Sequence, residues 1–204
     1  MACVAALALV LAIPTASHAD MRDDVALALA TATVVVAPDC TGVLAAGPDL
    51  VFTAAHCVHG LASTELTFAD GTVRIGWVAA IDRVTDQAVM LLEEPVEITP
   101  LVLAPRRPIT GQVLYFEGDA RAPHFREIKL RRVARAPTLP LLQNALFTTI
   151  AGAPGDAGAP IVDTAARVVG LVHGGEIGTP VTGLRRLVDK LVQQGPLPAL
   201  PHVP

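Results

Sequence analysis

Eleven short apolar runs, separated by turn residues, follow one another between residues 31 and 172. Short runs at such spacing are typical of the strands of β-sandwiches and β-barrels, and Asp70-Gly71 between two of them is a typical hairpin turn. The predicted strands are Thr31 to Val36, Gly42 to Ala45, Leu50 to Ala54, Leu66 to Phe68, Val73 to Ala79, Ala88 to Leu92, Gln112 to Phe116, Arg126 to Val133, Ala145 to Ile150, Pro160 to Val162 and Arg167 to Val172. The sequence therefore predicts an all-β fold, and its 204 residues suit one or two compact units.

One segment has the periodicity of a helix. Its apolar positions recur with the i, i+3, i+4, i+7, i+8 spacing of a single buried face, and they are Leu184, Leu187, Val188, Leu191 and Val192. This pattern predicts a C-terminal helix that packs on the core. Four prolines in the last ten residues predict an extended tail over 195–204, because proline cannot continue the helix.

The N-terminus resembles a secretory signal peptide. An apolar run from Val4 to Ile13 is followed by Pro14 and the small-residue segment Ser17-His18-Ala19. The run is too short to span a bilayer. Residues 1–19 are therefore predicted to be removed after Ala19, which leaves a secreted or periplasmic protein with no membrane attachment. No lysine or arginine precedes Arg22, so a buried N-terminal helix stays open as the alternative.

Charge and motif content narrow the possible partners. The chain has 15 basic and 19 acidic residues, a net charge of −4 and no basic block, so nucleic acid is not a predicted partner. No metal site and no phosphate-binding glycine loop is apparent, and we predict no metal and no cofactor.

Three motifs carry a family resemblance. They are Phe52-Thr53-Ala54-Ala55-His56-Cys57-Val58, then Asp86-Gln87-Ala88-Val89-Met90-Leu91-Leu92, and then Gly155-Asp156-Ala157-Gly158-Ala159-Pro160. Their order and content resemble the histidine, aspartate and nucleophile motifs of the chymotrypsin/trypsin-like serine proteases, in their bacterial, exported type. The resemblance extends from Cys40 to about Gly175 and covers most of the mature chain.

The resemblance implies a fold and a set of catalytic roles. The fold would be two antiparallel six-stranded β-barrels over residues 20–194, joined near residues 99–110, with the cleft between them. His56 would be the base and Asp86 the residue that orients it, with Asp82 as the less favoured alternative. The backbone N–H groups of Gly155 and Ala157 would form the oxyanion hole.

The same resemblance implies structural and binding roles for other residues. Cys40 and Cys57, the two cysteines left after signal cleavage, would form a disulfide worth about 3 kcal/mol. An extended peptide would pair with the strand around His173, Gly174 and Gly175, above a primary pocket based on Ala151, Gly152 and Ala153. No acid lies at that base, so trypsin-like specificity is disfavoured. His173 is also similar to the histidine with which glutamyl endopeptidases hold an acidic side chain, although a structural or solvent-facing role is the favoured interpretation.

The nucleophile position departs from the family pattern. Ala157 stands where these proteases carry serine, and a methyl group cannot attack a carbonyl. The hydroxyl groups of Ser63, Thr148 and Thr149 are interpreted as ordinary loop or strand groups. Asp156 usually pairs with a newly cut N-terminus in the family, but no matching N-terminus is evident, so another cation must pair with it or the loop is less ordered.

Three hypotheses follow. The chain is a peptide-binding pseudoprotease without catalytic activity, a serine endopeptidase whose serine has been changed to Ala157, or an exported structural β-domain without binding activity.

Overall fold

The computed structural model describes residues 17–36 and 38–195 of the chain. Within these residues the chain forms two helices, one 3-10 turn and eleven strands. In chain order they are α1 (His18–Ala32), β1 (Thr33–Val36), β2 (Cys40–Leu44), β3 (Leu50–Ala54), the 3-10 turn (Ala55–Cys57), β4 (Ser63–Phe68), β5 (Val73–Asp82), β6 (Gln87–Leu92), β7 (Val113–Gly118), β8 (His124–Ala134), β9 (Ala145–Gly152), β10 (Pro160–Val162), β11 (Val168–Pro180) and α2 (Val181–Gln194).

The strands form two closed antiparallel barrels. The first has the order β1-β2-β3-β6-β5-β4 and the second β10-β11-β9-β8-β7. Each barrel has its own apolar interior, which includes Val34, Leu66 and Met90 in the first and Leu114 and Ile161 in the second. The all-β, two-barrel architecture predicted from the sequence is therefore confirmed.

The second barrel has five strands, whereas six were predicted for each barrel. The difference arises in β11, which continues for 13 residues through Gly174 and Gly175, where the sequence suggests a break. Both glycines have positive φ values, of 150° and 55° respectively, so the strand bends there without ending. The two halves of β11 lie side by side, since the Thr179 hydroxyl donates to the Leu171 carbonyl over 3.4 Å.

The predicted C-terminal helix is α2, which follows β11 directly. Leu184 and Leu187 are buried, as the periodicity predicts. The apolar repeat also predicts that Val192 lies on this buried face. That prediction is wrong, because 75% of Val192 is exposed. All the buried residues of α2 lie in its first two turns, and Val192 lies beyond them near the end of the helix.

A second helix, α1, was not predicted from the sequence, which instead suggested a strand from Thr31. The strand β1 begins at Thr33, after the helix. Ser17 and Asp20 form a capping box in which each side chain accepts a hydrogen bond from the other residue's backbone N–H, over 3.1 and 3.2 Å. The apolar residues of α1 are spread around the helix, which hides its 3.6-residue period.

The end of the predicted signal peptide overlaps the start of α1. Ala19, after which cleavage is predicted, lies in the first turn of α1, and residues 1–16 lie outside the described part of the chain. Within the described ranges, neither helix combines the length and the apolar character needed to cross a membrane. Of the predicted tail over 195–204, only Gly195 is described.

A third apolar cluster joins the two barrels to the two helices. Val25 and Leu29 of α1 and Leu184 of α2 belong to the same buried cluster as Phe52 of the first barrel and Tyr115 of the second. The helices therefore complete the core that fixes one barrel against the other.

Candidate active site

The register of the first barrel brings two of the motifs together. Strand β3 ends beside the start of β6, with Ala54 paired to Gln87. The 3-10 turn after β3 carries His56, and the residue before β6 is Asp86. His56 Nδ1 lies 2.7 Å from Asp86 Oδ2, and the His56 backbone N–H donates to Asp86 Oδ1 over 3.0 Å. The structure thus brings the predicted base and its predicted orienting carboxylate into direct contact.

Asp86 is held by its backbone as well as by its side chain. Its φ of 51° lies in the left-handed region, where aspartate and asparagine are more common than other non-glycine residues. Its backbone carbonyl accepts a hydrogen bond from the Ala55 N–H over 3.0 Å. Burial by itself raises the pKa of Asp86, but hydrogen bonds from His173 and His56 outweigh it and hold the pKa at about 2. The carboxylate is therefore charged throughout the neutral and mildly acidic range.

His173, predicted to contact substrate, hydrogen-bonds to the same carboxylate. Its Nδ1 lies 2.6 Å from Asp86 Oδ2, the oxygen that His56 also contacts. The two imidazole rings meet edge to face, with centroids 5.6 Å apart. Only 18% of the His173 side chain is exposed, compared with 47% of the His56 side chain. The site therefore contains two histidines on one aspartate, an arrangement that no sequence spacing indicates because 87 positions separate His173 from Asp86.

The shared oxygen determines which ring nitrogen carries the hydrogen in each neutral histidine. A carboxylate oxygen only accepts hydrogen bonds, so each Nδ1 carries a hydrogen and each Nε2 keeps a lone pair. The hydrogen bond to Asp86 raises the pKa of His56 above its ordinary value. The neutral form of His56 then has the tautomer that a general base requires.

Asp82, the alternative orienting residue, has a different role. Its side chain accepts hydrogen bonds from the backbone N–H groups of Val84 and Thr85 and pairs with Arg186 of α2 over 2.7 Å. These contacts shape the loop that leads to Asp86. Gly183 lies so close to the same loop that a Cβ there would overlap the Gln87 side chain. Helix α2 thus supports the segment that presents Asp86.

The loop around Ala157 is fixed by contacts with both barrels. The Gly158 N–H donates to the Val172 carbonyl over 2.8 Å, and the Ala157 carbonyl accepts from the Thr41 N–H over 2.9 Å. The Thr41 hydroxyl also donates to the Gly155 carbonyl over 2.7 Å. A Cβ at Gly158 would overlap the Thr41 carbonyl oxygen, which explains why glycine follows Ala157.

The two predicted oxyanion-hole donors are free of protein acceptors. Within residues 17–36 and 38–195, the N–H groups of Gly155 and Ala157 make no hydrogen bond to the protein. Gly155 has a φ of 96°, which an L-residue rarely adopts. Both donors therefore remain available to an approaching acceptor.

The Asp156 side chain lies beside a histidine that the sequence did not identify. The side chain is 1% exposed, and its Oδ1 lies 3.3 Å from Nε2 of His124 at the start of β8. Its Oδ2 accepts a hydrogen bond from the Ala153 N–H over 2.7 Å. The His124 contact lacks the alignment of a hydrogen bond, so it forms an ion pair only when His124 is protonated. No local motif marks His124, because it lies 32 positions upstream of Asp156.

The three hydroxyl groups considered from the sequence lie in β4 and β9. The Thr148 hydroxyl donates to the Ile150 carbonyl, and the Thr149 hydroxyl accepts from the Lys129 N–H. Ser63 begins β4, where it pairs with Trp77.

Of the three residues predicted at the base of the primary pocket, Gly152 borders a small cavity of the second barrel. Gly152 pairs with Gly175 across β9 and β11, and a Cβ at Gly152 would press on Val172. The cavity lined by these three residues and mainly by apolar side chains has a volume of about 10 Å³, which is room for no more than one water molecule. Ala151 and Ala153, on either side of Gly152 in the chain, are exposed and do not line this cavity, and Gly174 faces open space.

The predicted disulfide is confirmed. Cys40 and Cys57 are bonded, with their Cα atoms 6.1 Å apart. Because Cys57 follows His56, the bond ties the histidine turn to the start of β2.

Comparisons with known proteins identify the family and agree with the fold. A family model described as a trypsin-like peptidase domain matches residues 40–171, a segment that contains His56, Asp86 and Ala157. No curated protein matches the chain.

Three solved protease structures illustrate the similarity of fold. Deg5 is 18% identical, with 88% of this chain and 98% of that chain covered at a TM-score of 0.73. The HtrA-type protease AlgW, solved with a tripeptide, is 17% identical over 85% of this chain and 64% of that chain, also at 0.73. The inactive form of Rv3671c from M. tuberculosis H37Rv, a serine-to-alanine mutant, is 20% identical over 93% and 100%, at 0.69. At these identities the similarity supports the fold alone.

Proposed function

The chain belongs to the trypsin-like peptidase domain family, and from that premise we propose that it is a catalytically inactive, exported member that binds an extended peptide between its barrels. One observation carries the proposal. Ala157 lies in a loop that is hydrogen-bonded to both barrels, next to free backbone N–H donors, yet its side chain has no atom that can attack a carbonyl. The fold and the base are retained, while the nucleophile is absent.

The edge of β11 supports peptide binding. In the second barrel β11 pairs with β10 as far as Leu171 and with β9 from Gly175 onwards, so His173 and Gly174 have no partner residue in the sheet. A peptide in extended conformation can add to such an edge through main-chain hydrogen bonds. A carbonyl oxygen of that peptide could accept from the free N–H groups of Gly155 and Ala157. The AlgW structure, in which a tripeptide is present, belongs to a protein with the same fold.

The small space beside Gly152 defines the class of peptide that we expect. The cavity that Gly152 borders, of about 10 Å³, does not admit a long or charged side chain. The exposed neighbours of Gly152, Ala151 and Ala153, are small and uncharged. We therefore expect a preference for glycine or alanine at the position of the peptide that faces this pocket.

Restoring the hydroxyl group tests whether the site is otherwise complete. We expect Ala157→Ser to react with a fluorophosphonate probe and the unchanged protein not to react, because only the variant has a hydroxyl group at the nucleophile position of the motif. The double variant Ala157→Ser, His56→Ala is the matched control and should label far more slowly. A folded Ala157→Ser variant that remains unlabelled would show that the retained residues are not arranged for catalysis.

Peptide binding is tested separately on the unchanged protein. A fluorescent library of extended peptides should contain binders enriched in glycine or alanine at one position. Ala151→Arg should weaken their binding at least tenfold by placing a long charged side chain next to Gly152, whereas Ala165→Arg, at an exposed position in the turn between β10 and β11, should not. Equal binding by the two variants, or no binders at all, would favour an exported structural domain.

A further inference from the structure

We propose that His56, Asp86 and His173 form a binding site for one divalent transition-metal ion of the zinc class. Each residue offers one ligand atom, and the three atoms all lie within 4.8 Å of one another. Two imidazole nitrogens and one carboxylate oxygen form the ligand set of many sites for Zn²⁺ and related ions. The proposal goes beyond peptide binding and does not depend on it.

The carboxylate is already prepared as a ligand. Asp86 Oδ2 already faces Nδ1 of both histidines, over 2.7 and 2.6 Å, so the three ligand atoms converge before an ion binds. Asp86 Oδ1 is held by the His56 backbone N–H, which fixes the orientation of Oδ2 toward both rings. A hydrogen bond to the second oxygen of a ligating carboxylate is a common supporting contact in metal sites.

The two histidines can exchange hydrogen bonds for metal bonds without a change in net charge. In the metal-free site both Nδ1 atoms carry hydrogen and point at Asp86 Oδ2, over 2.7 and 2.6 Å. Moving each hydrogen to Nε2 through solvent frees both Nδ1 lone pairs, and each neutral imidazole keeps one hydrogen. The ion then replaces two hydrogen bonds by three metal–ligand bonds.

The two nitrogen–oxygen distances require only a small adjustment. Metal–ligand bonds of about 2.0 to 2.1 Å in a tetrahedral site place neighbouring ligand atoms about 3.3 Å apart. The rings must therefore each retreat from Oδ2 by roughly 0.6 Å, and the two Nδ1 atoms, which lie within 4.8 Å of each other, must reach the same separation. His56 has the freedom for this movement because 47% of its side chain is exposed.

Other candidate ligands around the site do not compete. Cys40 and Cys57 lie close to His56, but both are bound in the disulfide and cannot act as thiolates. His59 is exposed in the loop that follows the 3-10 turn and is not part of the cluster. His59 therefore serves as a matched control for nonspecific binding to a surface histidine.

Titration of the tag-free, chelator-dialysed protein with ZnCl₂ tests the proposal. Isothermal calorimetry should show one ion per chain. His173→Gln, which preserves size and polarity, should weaken binding at least tenfold, as should His56→Gln, whereas His59→Gln should leave the affinity unchanged. Bound Co²⁺ should give the visible absorption of a site of low coordination number in the unchanged protein and not in His173→Gln.

A second readout protects the test against misfolded variants. Zn²⁺ should raise the thermal unfolding temperature of the unchanged protein and of His59→Gln, and not that of His173→Gln, provided that circular dichroism shows each variant to be folded. Absence of saturable binding by the unchanged protein would overturn the proposal. An equal loss of affinity in His59→Gln would overturn it as well, because the ion would then be bound at the surface. Neither result would affect peptide binding, which is measured without metal.

Discussion

Replacing Asp86 by asparagine removes the charge on which the two site histidines converge. Asparagine has nearly the same size and tolerates the left-handed backbone at this position, where φ is 51°. Its single side-chain oxygen can still accept from the His56 backbone N–H. The substitution therefore removes the charge and the shared acceptor while leaving the backbone almost undisturbed.

The expected loss follows from the pKa of Asp86. Folding lowers that pKa from 3.8 to about 2, which corresponds to about 2 kcal/mol in the free energy of unfolding near pH 5, where His56 is protonated. The pKa is lower in the folded state, so this stability is fully present above the unfolded value and is lost as the pH falls from 3.8 to 2. The Asp86 side chain is 11% exposed, so little is subtracted for screening by solvent.

Part of this stability comes from the interaction with protonated His56 and is lost at higher pH. The pKa of His56 is raised by the hydrogen bond to Asp86, so its stabilising effect is complete below the unfolded value of 6.5 and disappears as the pH rises through the folded value. Both contributions depend on the Asp86 charge. The stability difference between the unchanged protein and Asp86→Asn should therefore be largest between about pH 4 and pH 6.

Urea unfolding followed by circular dichroism measures this difference at pH 8, 5, 3 and 2. Other acidic groups are common to both proteins and cancel in the comparison. We expect the difference to be about 2 kcal/mol near pH 5, to be smaller near pH 8 and to approach zero at pH 2. A difference that stays constant over the whole range would refute the argument, because the loss would then come from packing and not from charge.

Two further predictions concern packing. Leu29→Ala should lower the free energy of unfolding by about 2 to 5 kcal/mol because Leu29 is fully buried. Leu27→Ala, at a residue that is 67% exposed, should have almost no effect. Equal effects of the two substitutions in urea unfolding would show that α1 is not part of the core. Gly158→Ala should lower the free energy of unfolding by about 3 kcal/mol or more, and Gly60→Ala by about 1 kcal/mol. Both glycines have φ near 80°, but only a Cβ at Gly158 would overlap the Thr41 carbonyl oxygen. Similar melting temperatures for the two variants would contradict this explanation.

The sequence predicted the elements whose signals are local. The β-type runs and the motif order led to the two barrels, the apolar repeat located α2, and the cysteine pair led to the disulfide. Helix α1 was missed because its apolar residues do not follow one face, and its buried positions, Val25 and Leu29, are defined by the barrels against which they pack. The bend of β11 at Gly174 was interpreted as a break because a glycine pair indicates a change of direction without saying whether pairing continues.

By itself, the sequence determined which chemical groups are available: a histidine at 56, an aspartate at 86 and no hydroxyl at 157. Covalent composition fixes that absence whatever the fold. Only the tertiary structure decided that His173 shares the Asp86 carboxylate with His56 and that His124 lies beside Asp156. Such contacts depend on how two barrels pack, because hydrogen bonds and ion pairs act over a few ångströms in space and are independent of the number of residues between the partners.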